Sequence, residues 1–364
     1  MQAVLLVGGE ATRLRPLTCN TVKVMVPILN RPFLEHMIWY LKGYGVDSIV
    51  LALGHLPGQI ERYFGDGSRC GVRLTYVMEQ SPLGTAGAIK NAESHLDELF
   101  LVFNGDIFTD IDLGAMLSFH RRRKAKATIA LTAVEDPSAY GVVETEPDGR
   151  VKRFVEKPPP GEATTNLINA GIYILDREVV RDIPPNTRYM FEHHLYPALL
   201  AQGVPIYAYH SDAYWIDIGT PGKYLQVQHD LLLGQCKAAL SSQIAENEGH
   251  GQTVGTFIHP TARIEGPVII GSGCSIGPGV RIKGPAVIGE GCQILDGAVI
   301  EEAILWSEVH VGRQATVENC IVGSGSLIGD GSCVGRGCVI GDRVVVEKGS
   351  HLHPDTKVWP DTGE

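Results

Sequence analysis

Hydrophobic and polar positions along this chain follow two different periods. Up to about residue 236, short apolar runs of strand length alternate with amphipathic stretches that have the period of a helix. This alternation is typical of α/β proteins, in which helices cover both faces of a mostly parallel sheet. Residues 237–256 lose the pattern and are predicted to be a linker. The pattern therefore predicts a first domain over residues 1–236.

Glycine, proline and asparagine punctuate the predicted elements of this domain. The predicted strands are 3–7, 48–53, 72–79, 100–103 and 170–175, together with the hairpin 142–146 and 150–156, whose turn carries Pro-Asp-Gly. The predicted helices are 32–41, 58–64, 84–95, 189–202 and one that runs from Pro221 to about residue 233.

From residue 257 to residue 364 the apolar positions repeat every six residues. Isoleucine stands at every sixth position from Ile258 to Ile300, and after a slip the aliphatic period resumes from Val311 to Leu352. Glycine, aspartate, serine and proline fill the positions between. These hexapeptides predict a second domain, a left-handed parallel β-helix. Cys274 and Cys292 fall one coil apart, and we expect two packed thiols there rather than a disulfide.

Composition excludes several classes of function. The 364 residues contain 31 Lys and Arg against 41 Asp and Glu, a net charge of −10, which disfavours a nucleic-acid or anionic-membrane surface. No apolar run reaches the roughly 20 residues that span a bilayer, and we expect no membrane segment or signal peptide. The eight cysteines show neither CxxC pairs nor the spacing of metal ligands. Reduced thiols in the cytoplasm fit this pattern best.

The first predicted strand leads into Gly8 and Gly9 and then into a loop with three cations. Two glycines let backbone N–H groups approach a ligand closely, and Arg13, Arg15 and Lys23 add positive charge. This combination suits a polyphosphate. The spacing is neither that of a Walker A loop nor GxGxxG, so a P-loop or dinucleotide site is disfavoured.

Two carboxylates follow predicted strands later in the chain. Asp106 comes after strand 100–103 in Asn104-Gly105-Asp106, and Asp217 lies in the segment from Trp215 to Gly219. Ligands of open α/β sheets bind at the carboxyl ends of the strands. Mg²⁺ takes few protein oxygens and keeps phosphate oxygens as its other ligands. The sequence therefore predicts that Asp106 and Asp217 bind Mg²⁺ beside a phosphate loop.

The glycine loop resembles the signature of sugar-1-phosphate nucleotidyltransferases, GGxGTRLRPLT followed by PK. It departs from that pattern at Ala11, where the family has glycine, and at Val22, where it has proline. Other segments resemble further motifs in the family's order, namely 79–88, 104–106, 140–141, 156–158, 169–171 and 215–219. The segment PLGTAG within 79–88 is closest to the form found in mannose-1-phosphate guanylyltransferases. The resemblance implies a Rossmann-like catalytic domain, to which a C-terminal β-helix is a common addition.

The resemblance also implies a reaction and a set of residues. A sugar 1-phosphate attacks the α-phosphate of a nucleoside triphosphate, GTP with mannose 1-phosphate being the favoured pair, and releases pyrophosphate. Arg13, Lys23 and Lys157 would be catalytic. The nucleotide would contact Gly8, Gly9, Ala11, Thr12, Glu79, Gln80, Gly84 and Thr85. The sugar phosphate would contact Gly141, Glu156, Lys157, Asn169 and Gly171. Asp106 and Asp217 would hold Mg²⁺. Independently of the resemblance, the exposed ends and flat faces of a β-helix favour self-association, so we expect a homo-oligomer whose assembly depends on residues 258–357.

Three alternatives stay open at this point. A glucose-1-phosphate thymidylyltransferase or uridylyltransferase would use the same motifs. A non-catalytic regulator that binds a nucleotide sugar is conceivable because Ala11 places a Cβ in the triphosphate loop. Acyl transfer by the β-helix fits poorly, since no catalytic histidine stands out within the repeats. His193, His194 and the basic run 121–124 carry no assignment and are interpreted as exposed side chains.

Overall fold

The computed structural model describes residues 1–9, 11–54, 57–236 and 254–361. The chain forms two compact units, and neither is continuous in sequence. Unit 1 comprises Met1–Gly9 and Met37–Trp215, and unit 2 comprises Glu10–His36 and Ile216–Glu364, as far as these are described. Most of the predicted linker 237–256 lies outside the described residues, so the division into 1–236, 237–256 and 257–364 stays a prediction.

The first 236 residues contain the elements of an α/β protein. The strands are β1 (Gln2–Val7), β2 (Pro27–Ile28), β3 (Arg31–Pro32), β4 (Ser48–Leu53), β5 (Arg73–Met78), β6 (Leu99–Asn104), β7 (Ile107–Thr109), β8 (Ala127–Ala133), β9 (Gly141–Thr145), β10 (Val151–Glu156), β11 (Leu167–Asp176), β12 (Ile206–His210) and β13 (Trp215–Asp217). The helices are α1 (Phe33–Gly43), α2 (Pro57–Phe64), α3 (Gly84–Asn91), α4 (Leu113–Arg123), α5 (Tyr196–Ala201) and α6 (Pro221–Leu232).

Unit 1 is built on a nine-stranded sheet with β1 near its centre. β1 pairs in parallel with β4 and β6, and β4 with β5, whereas β11 runs antiparallel to β6 and to β8. β1 and β4 are almost entirely buried because apolar side chains point to both faces, as expected of covered parallel strands. The mostly parallel α/β fold that the sequence predicted is therefore confirmed.

The predicted elements match the observed ones except at a few ends. The predicted helix 84–95 stops as an α-helix at Asn91 and continues as a short 3₁₀ turn. The predicted helix 189–202 is wrong in its first part, where Phe191–Leu195 forms a π-helical turn before α5 begins. Helix α4, strands β8 and β12 and the short strands β2, β3, β7 and β13 were not predicted.

The C-terminal residues of unit 2 form the predicted left-handed β-helix. Its strands are β14 (Phe257–Ile258), β15 (Arg263–Glu265), β16 (Val268–Ile270), β17 (Ser275–Ile276), β18 (Arg281–Lys283), β19 (Ala286–Ile288), β20 (Gln293–Ile294), β21 (Val299–Glu301), β22 (Ile304–Leu305), β23 (His310–Val311), β24 (Thr316–Glu318), β25 (Ile321–Val322), β26 (Leu327–Ile328), β27 (Cys333–Val334), β28 (Val339–Ile340), β29 (Val345–Val346), β30 (His351–Leu352) and β31 (Lys357–Val358).

These strands stack into three parallel sheets of six strands each, which we call face 1 (beginning with β14), face 2 (beginning with β15) and face 3 (beginning with β16). The repeating aliphatic residues point inward and form one continuous buried core. Ile288 pairs with Leu305 and Leu305 with Val322, so two successive coils are one residue shorter than three hexapeptides. The slip in the isoleucine period is therefore two shortened coils.

The thiols of Cys274 and Cys292 are both buried inside the β-helix. Each Sγ donates to a backbone carbonyl at 3.1 Å, Cys274 to Gly289 and Cys292 to Trp306. The prediction of packed thiols is confirmed.

Face 3 is apolar on its outside as well as its inside. Its outward residues are buried over five consecutive coils: Ile269, Val287, Ile304, Ile321 and Val339. Helix α6 packs against β19 on this face, and the Asn30 side chain donates to the Ile288 carbonyl at 2.8 Å. Helix α6 and the segment around Asn30 therefore pack on face 3.

Candidate active site

The glycine loop begins where β1 ends, beside the ends of β4 and β5. A Cβ on Gly54 would lie 3.0 Å from the Cα of Gly8, so the two backbones touch and need glycine there. The Glu79 carboxylate lies next to Gly8, 3.7 Å from where a Cβ of that residue would be. Burial raises the pKa of Glu79, whose Oε2 accepts the Leu83 N–H at 3.0 Å. Unit 1 thus brings Gly8 and Glu79 together, and Gly9 has open space around it.

The PLGTAG segment leads into α3 and is hydrogen-bonded to the chain near Tyr189. Gly84 has φ +73°, and a Cβ there would lie 2.9 Å from the Tyr189 carbonyl. The Gly87 N–H donates to that carbonyl at 2.9 Å, and the Thr85 hydroxyl accepts the Phe191 N–H at 2.9 Å. Gln80 is exposed. The side chain of Thr85 therefore serves the fold, and Gln80 and the backbone offer the accessible polar groups.

Asn169 is the centre of a polar cluster on β11. Its Nδ2 donates to the Tyr173 hydroxyl at 2.9 Å and to Glu192 Oε1 at 3.1 Å, while its Oδ1 accepts the Gly171 N–H at 3.0 Å. Gly171 has φ +72°, and a Cβ there would meet the Asn104 side chain. Both N–H groups of Asn169 are thus engaged by protein groups.

Glu156 and Lys157 lie at the end of β10, beside Gly141. A Cβ on Gly141 would lie 2.8 Å from Glu156 Oε2, so glycine keeps that carboxylate in place. Lys157 adopts a left-handed φ of 47° and is 66% exposed, with its Nζ 3.6 Å from Glu156 Oε1. The Lys157 ammonium can therefore reach a ligand in solvent.

Glu192 was not singled out from the sequence, yet it belongs to this cluster. Burial raises the pKa of Glu192, and the charge of Glu156 acts in the same direction. The feature that marks Glu192 as a candidate is its position in the π-helical turn Phe191–Leu195, because such turns recur at functional sites.

Asp106 is half-buried directly after β6. The Gly105 N–H donates to the Leu6 carbonyl at 2.9 Å, and a Cβ there would lie 2.5 Å from the same oxygen. The neighbouring Asn104 Oδ1 is buried and accepts no hydrogen bond from the described residues. Glycine therefore fixes the turn that presents Asp106 at the end of the strand.

Within unit 2, Asp217 is held at the entrance to α6. Its Oδ1 accepts the Gly219 N–H at 2.7 Å and its Oδ2 accepts from Lys223 Nζ at 3.0 Å. Burial alone would raise the pKa of Asp217, but the hydrogen bond and charge of Lys223, together with Lys23 and the Gly219 amide, lower it. Asp217 is therefore ionised at neutral pH.

Arg13 lies over Gly219, next to Asp217. A Cβ on Gly219 would be 2.8 Å from Arg13 Nη2 and would also collide with Asp217 Oδ1. Arg13, Lys23 and Lys223 therefore all lie near Asp217. Lys223 went unnoticed in the sequence because a single lysine in the first turn of a helix carries no pattern.

Ala11 has φ 50° and ψ 38°, which is the left-handed conformation. Its carbonyl accepts the Thr18 hydroxyl at 2.9 Å, and the 3₁₀ turn Thr12–Leu14 follows, with Thr12 and Arg13 exposed. Alanine therefore occupies a backbone geometry that favours glycine, and the hydrogen bond from Thr18 holds its carbonyl in place.

Within residues 1–9, 11–54, 57–236 and 254–361, no group of three or more His, Cys, Asp or Glu side chains could hold a metal ion. A pair of carboxylates still fits Mg²⁺, which keeps water and phosphate as its other ligands, and the ionised Asp217 has the required charge. None of the described helices is long and apolar enough to cross a membrane.

Comparisons with known proteins assign both parts of the chain. The family model "Nucleotidyl transferase" matches residues 2–233, and the model "EIF2B subunit epsilon LbH domain" matches residues 252–352. The chain is 39% identical over 309 residues to the mannose-1-phosphate guanylyltransferase of Mycobacterium tuberculosis, covering 84% of this chain and 80% of that protein. It is 36% identical over 341 residues to the UTP–glucose-1-phosphate uridylyltransferase of a Synechocystis species, covering 88% and 87%.

A solved structure shares the fold. The crystal structure of HddC from Yersinia pseudotuberculosis complexed with GMP-PN is 31% identical, with a TM-score of 0.55, and the match covers 63% of this chain and 99% of that one.

Proposed function

The chain belongs to the nucleotidyl transferase family, and on that premise we propose that it transfers a nucleoside monophosphate group from GTP to mannose 1-phosphate. The products are GDP-mannose and pyrophosphate. The observation that carries this proposal is the arrangement at the start of α6, where an ionised Asp217 lies among Arg13, Lys23 and Lys223. One carboxylate among three cations suits a metal-bound triphosphate.

The reaction that we propose needs no general base. An oxygen of the sugar phosphate, already an anion, forms a bond to the α-phosphorus. The bond from that phosphorus to the bridging oxygen of the β-phosphate breaks, and its electron pair leaves with pyrophosphate. Catalysis then consists of holding the reactants and stabilising charge.

We assign these tasks residue by residue. Arg13 and Lys23 stabilise the departing pyrophosphate, and Lys157 holds the incoming phosphate, supported by its exposed ammonium beside Glu156. The glycine loop (Gly8, Gly9, Ala11 and Thr12) faces the triphosphate through its backbone. Glu156 is the better partner for a sugar hydroxyl, because both N–H groups of Asn169 are already engaged and its Oδ1 already accepts the Gly171 N–H. Gly141 and Gly171 leave room for the ring.

Asp106 and Asp217 are the residues that we propose hold Mg²⁺. When bound, the ion would neutralise charge on the α-phosphate. Two observations support this assignment. In unit 2, Asp217 is ionised, and in unit 1 the glycine turn presents Asp106 at the end of its strand.

Guanine is the proposed base because the PLGTAG segment resembles the form found in mannose-1-phosphate guanylyltransferases, and the chain is 39% identical over 309 residues to a protein of that name. Guanine offers donors at N1 and N2 and an acceptor at O6. Glu79, Gln80 and the backbone near Gly84 and Thr85 can meet these groups, although Glu79 also holds the Leu83 amide.

A second candidate is uridylyl or thymidylyl transfer to glucose 1-phosphate. The Synechocystis relative of 36% identity, named a UTP–glucose-1-phosphate uridylyltransferase, favours it. An amide such as Gln80 would serve uracil or thymine nearly as well as guanine. The two candidates share the reaction and differ only in the base and the sugar.

We also propose that the enzyme works in the cytoplasm as a homo-oligomer assembled through its β-helix. The buried thiols of Cys274 and Cys292 fit a reducing compartment. Face 1 of the β-helix exposes Phe257, Leu327 and Val345, with Leu327 and Val345 paired on adjacent coils. Exposed apolar residues on a flat sheet favour self-association.

A substrate panel tests the proposal. GTP, ATP, CTP, UTP and dTTP are each combined with mannose 1-phosphate and with glucose 1-phosphate, and pyrophosphate release is measured. We expect GTP with mannose 1-phosphate to exceed UTP or dTTP with glucose 1-phosphate by at least about tenfold in kcat/KM. A clear preference for UTP or dTTP would support the second candidate. No turnover with any pair would overturn both and leave a nucleotide-sugar-binding regulator.

A further inference from the structure

A buried polar network in unit 2 joins the β-helix to the loop that carries Arg13 and Lys23. Trp306 lies directly after β22 on face 3 and is 3% exposed. Its indole N–H donates to the Tyr224 hydroxyl of α6 at 3.0 Å. The Tyr224 hydroxyl in turn donates to the Pro27 carbonyl. The Trp306 indole is thus linked to Pro27, near the end of the loop, through the Tyr224 side chain.

The same end of the loop is held by a second residue of α6. Gln228 Nε2 donates to the Pro27 carbonyl at 2.9 Å, and its Oε1 accepts the Leu29 N–H at 2.8 Å. Gln228 and Tyr224 are both fully buried. Buried hydrogen bonds of this kind are costly to break, because each leaves a polar group without water. The segment 27–29 therefore has one strongly preferred position on α6.

Two further contacts fix residues of this segment directly on the β-helix. Asn30 donates to the Ile288 carbonyl at 2.8 Å. Pro16 Cβ lies 3.3 Å from the position that a Cβ of Gly341 would take. The loop between Pro16 and Asn30, which contains Lys23, is thus held by the β-helix near both of its ends.

Tyr224 is also the neighbour of Lys223, whose ammonium binds Asp217. A shift of Tyr224 would move the Pro27 carbonyl on one side and the first turn of α6 on the other. Both groups that surround Asp217, the loop cations and Lys223, therefore depend on the same buried hydroxyl.

We propose that Trp306 of the β-helix is a positioning residue for nucleotide binding, acting through Tyr224 on the segment 16–30 and on Lys223. The β-helix is then part of the apparatus that holds the triphosphate, in addition to any role in assembly. This inference rests on the proposed function for the roles of Lys23 and Asp217. It predicts an effect on the nucleotide and none on the sugar phosphate, whose proposed residues Glu156, Lys157 and Asn169 belong to unit 1.

The test is Trp306→Phe, which keeps an aromatic ring in the core and removes only the N–H donor. We expect KM for the preferred nucleoside triphosphate to rise about threefold to tenfold, the range for one buried hydrogen bond. KM for the sugar 1-phosphate should change less than about twofold. Tyr224→Phe should likewise raise KM for the nucleotide and leave KM for the sugar 1-phosphate nearly unchanged. The double variant should have a nucleotide KM no higher than that of the weaker-binding single variant, because the two residues act through the same chain of hydrogen bonds.

Trp359→Phe is the matched control, since Trp359 is another β-helix tryptophan and is 55% exposed. It should leave both KM values unchanged. Asn30→Gly is the second variant. It removes the contact with Ile288 yet tolerates the left-handed φ of 64°, and it should raise KM for the nucleotide alone. If Trp306→Phe does not fold, the nucleotide KM of Asn30→Gly tests whether contact with the β-helix positions the segment 16–30.

A merely structural role for Trp306 would lower the melting temperature and the active fraction with both KM values unchanged, and that result would overturn the proposal. Equal increases in both KM values would also overturn it. Equilibrium dialysis of GTP with Mg²⁺ against the wild type and Trp306→Phe gives a readout that needs no turnover. Weaker binding by the variant would support the inference even where the panel shows no catalysis, and equal binding would overturn it.

Discussion

Ala11 departs from the family pattern at a position whose backbone conformation favours glycine. The structure places it at φ 50°, where a left-handed backbone costs an alanine about 1 kcal/mol relative to its usual conformations. Its carbonyl is held by Thr18, and the chain turns immediately into Thr12–Leu14. The cost of the alanine is therefore backbone strain of modest size.

We predict that Ala11→Gly changes turnover by less than about tenfold, equivalent to about 1.4 kcal/mol of barrier. The free energy of unfolding should change by no more than about 1 kcal/mol, because relief of strain is offset by the greater freedom of glycine in the unfolded chain. Pyrophosphate release and urea unfolding of both proteins measure this. A silent wild type with an active variant would identify a regulator rather than an enzyme.

Asp106 and Asp217 are predicted to share the task of binding Mg²⁺. Asp106→Asn and Asp217→Asn should each abolish pyrophosphate release while circular dichroism shows an intact fold, and EDTA should do the same to the wild type. Asp148→Asn, in an exposed turn of unit 1, is the control and should stay active. Full activity in either site variant or in EDTA would refute the metal assignment.

At the scale of elements, the entrance to α6 is the best-defined part of the site in unit 2. Thr220 accepts the Lys223 N–H as the N-cap, Pro221 occupies the first turn, and Gly219 just before them donates to Asp217. The capping geometry fixes where the helix begins. It therefore also fixes the spacing between Asp217 and Lys223.

Two glycines of this entrance give a matched pair of variants. Gly219→Ala should lower kcat/KM at least about tenfold, because its Cβ would lie 2.8 Å from Arg13 Nη2 and would displace the guanidinium. Gly222→Ala meets nothing within 4 Å and should keep full activity. It should also gain up to about 1 kcal/mol in the free energy of unfolding, because alanine is the better helix former. Steady-state kinetics and urea unfolding test both, and a fully active Gly219→Ala would contradict the placement of Arg13.

At the scale of the molecule, the outward residues distinguish the three faces of the β-helix. Face 3 buries its outer apolar residues under α6 and the segment 11–36 of unit 2. Face 2 carries charged ladders such as Lys283 with Glu301. Face 1 leaves two apolar side chains exposed side by side on adjacent coils, Leu327 at 44% and Val345 at 60%. Among the described residues of the β-helix, face 1 is therefore the best surface for a second copy.

We predict a homo-oligomer that Leu327→Lys with Val345→Lys converts to a smaller species in light scattering. The charged pair would place two ammonium groups in an apolar contact, whose desolvation is costly. Thr316→Lys with Cys333→Lys, paired in the same way on face 2, should leave the mass unchanged. A wild-type monomer would refute the prediction. Point variants are preferable to truncation at the predicted linker, because removing the β-helix would uncover α6.

The sequence by itself determined the β-helix and the central strands of the α/β sheet, and it suggested the residues that we propose for the site. Local periods fix which face of a strand or helix must be buried, so β1, β4 and the whole β-helix followed from the positions of apolar side chains. These periods depend on neighbours in sequence, which is why the elements can be predicted without a structure. The sequence also marks Gly84 and Gly105 as turn residues, but the contacts that require glycine there come from the distant residues Tyr189 and Leu6.

Only the tertiary structure decided which side chains work together. Trp306 reaches Tyr224 across 82 residues and Gln228 reaches Pro27 across 201, and no local pattern encodes either contact. Glu192 becomes a site candidate through its hydrogen bond with Asn169, and Lys223 through its hydrogen bond with Asp217. Both bonds form only after the chain has folded. Packing also shifts two of the carboxyl groups, since burial raises the pKa of Glu192, whereas Lys223, Lys23 and the Gly219 amide lower the pKa of Asp217 despite its burial. The periodicity of the chain predicts where a residue points, whereas its partner and its charge depend on packing between distant segments.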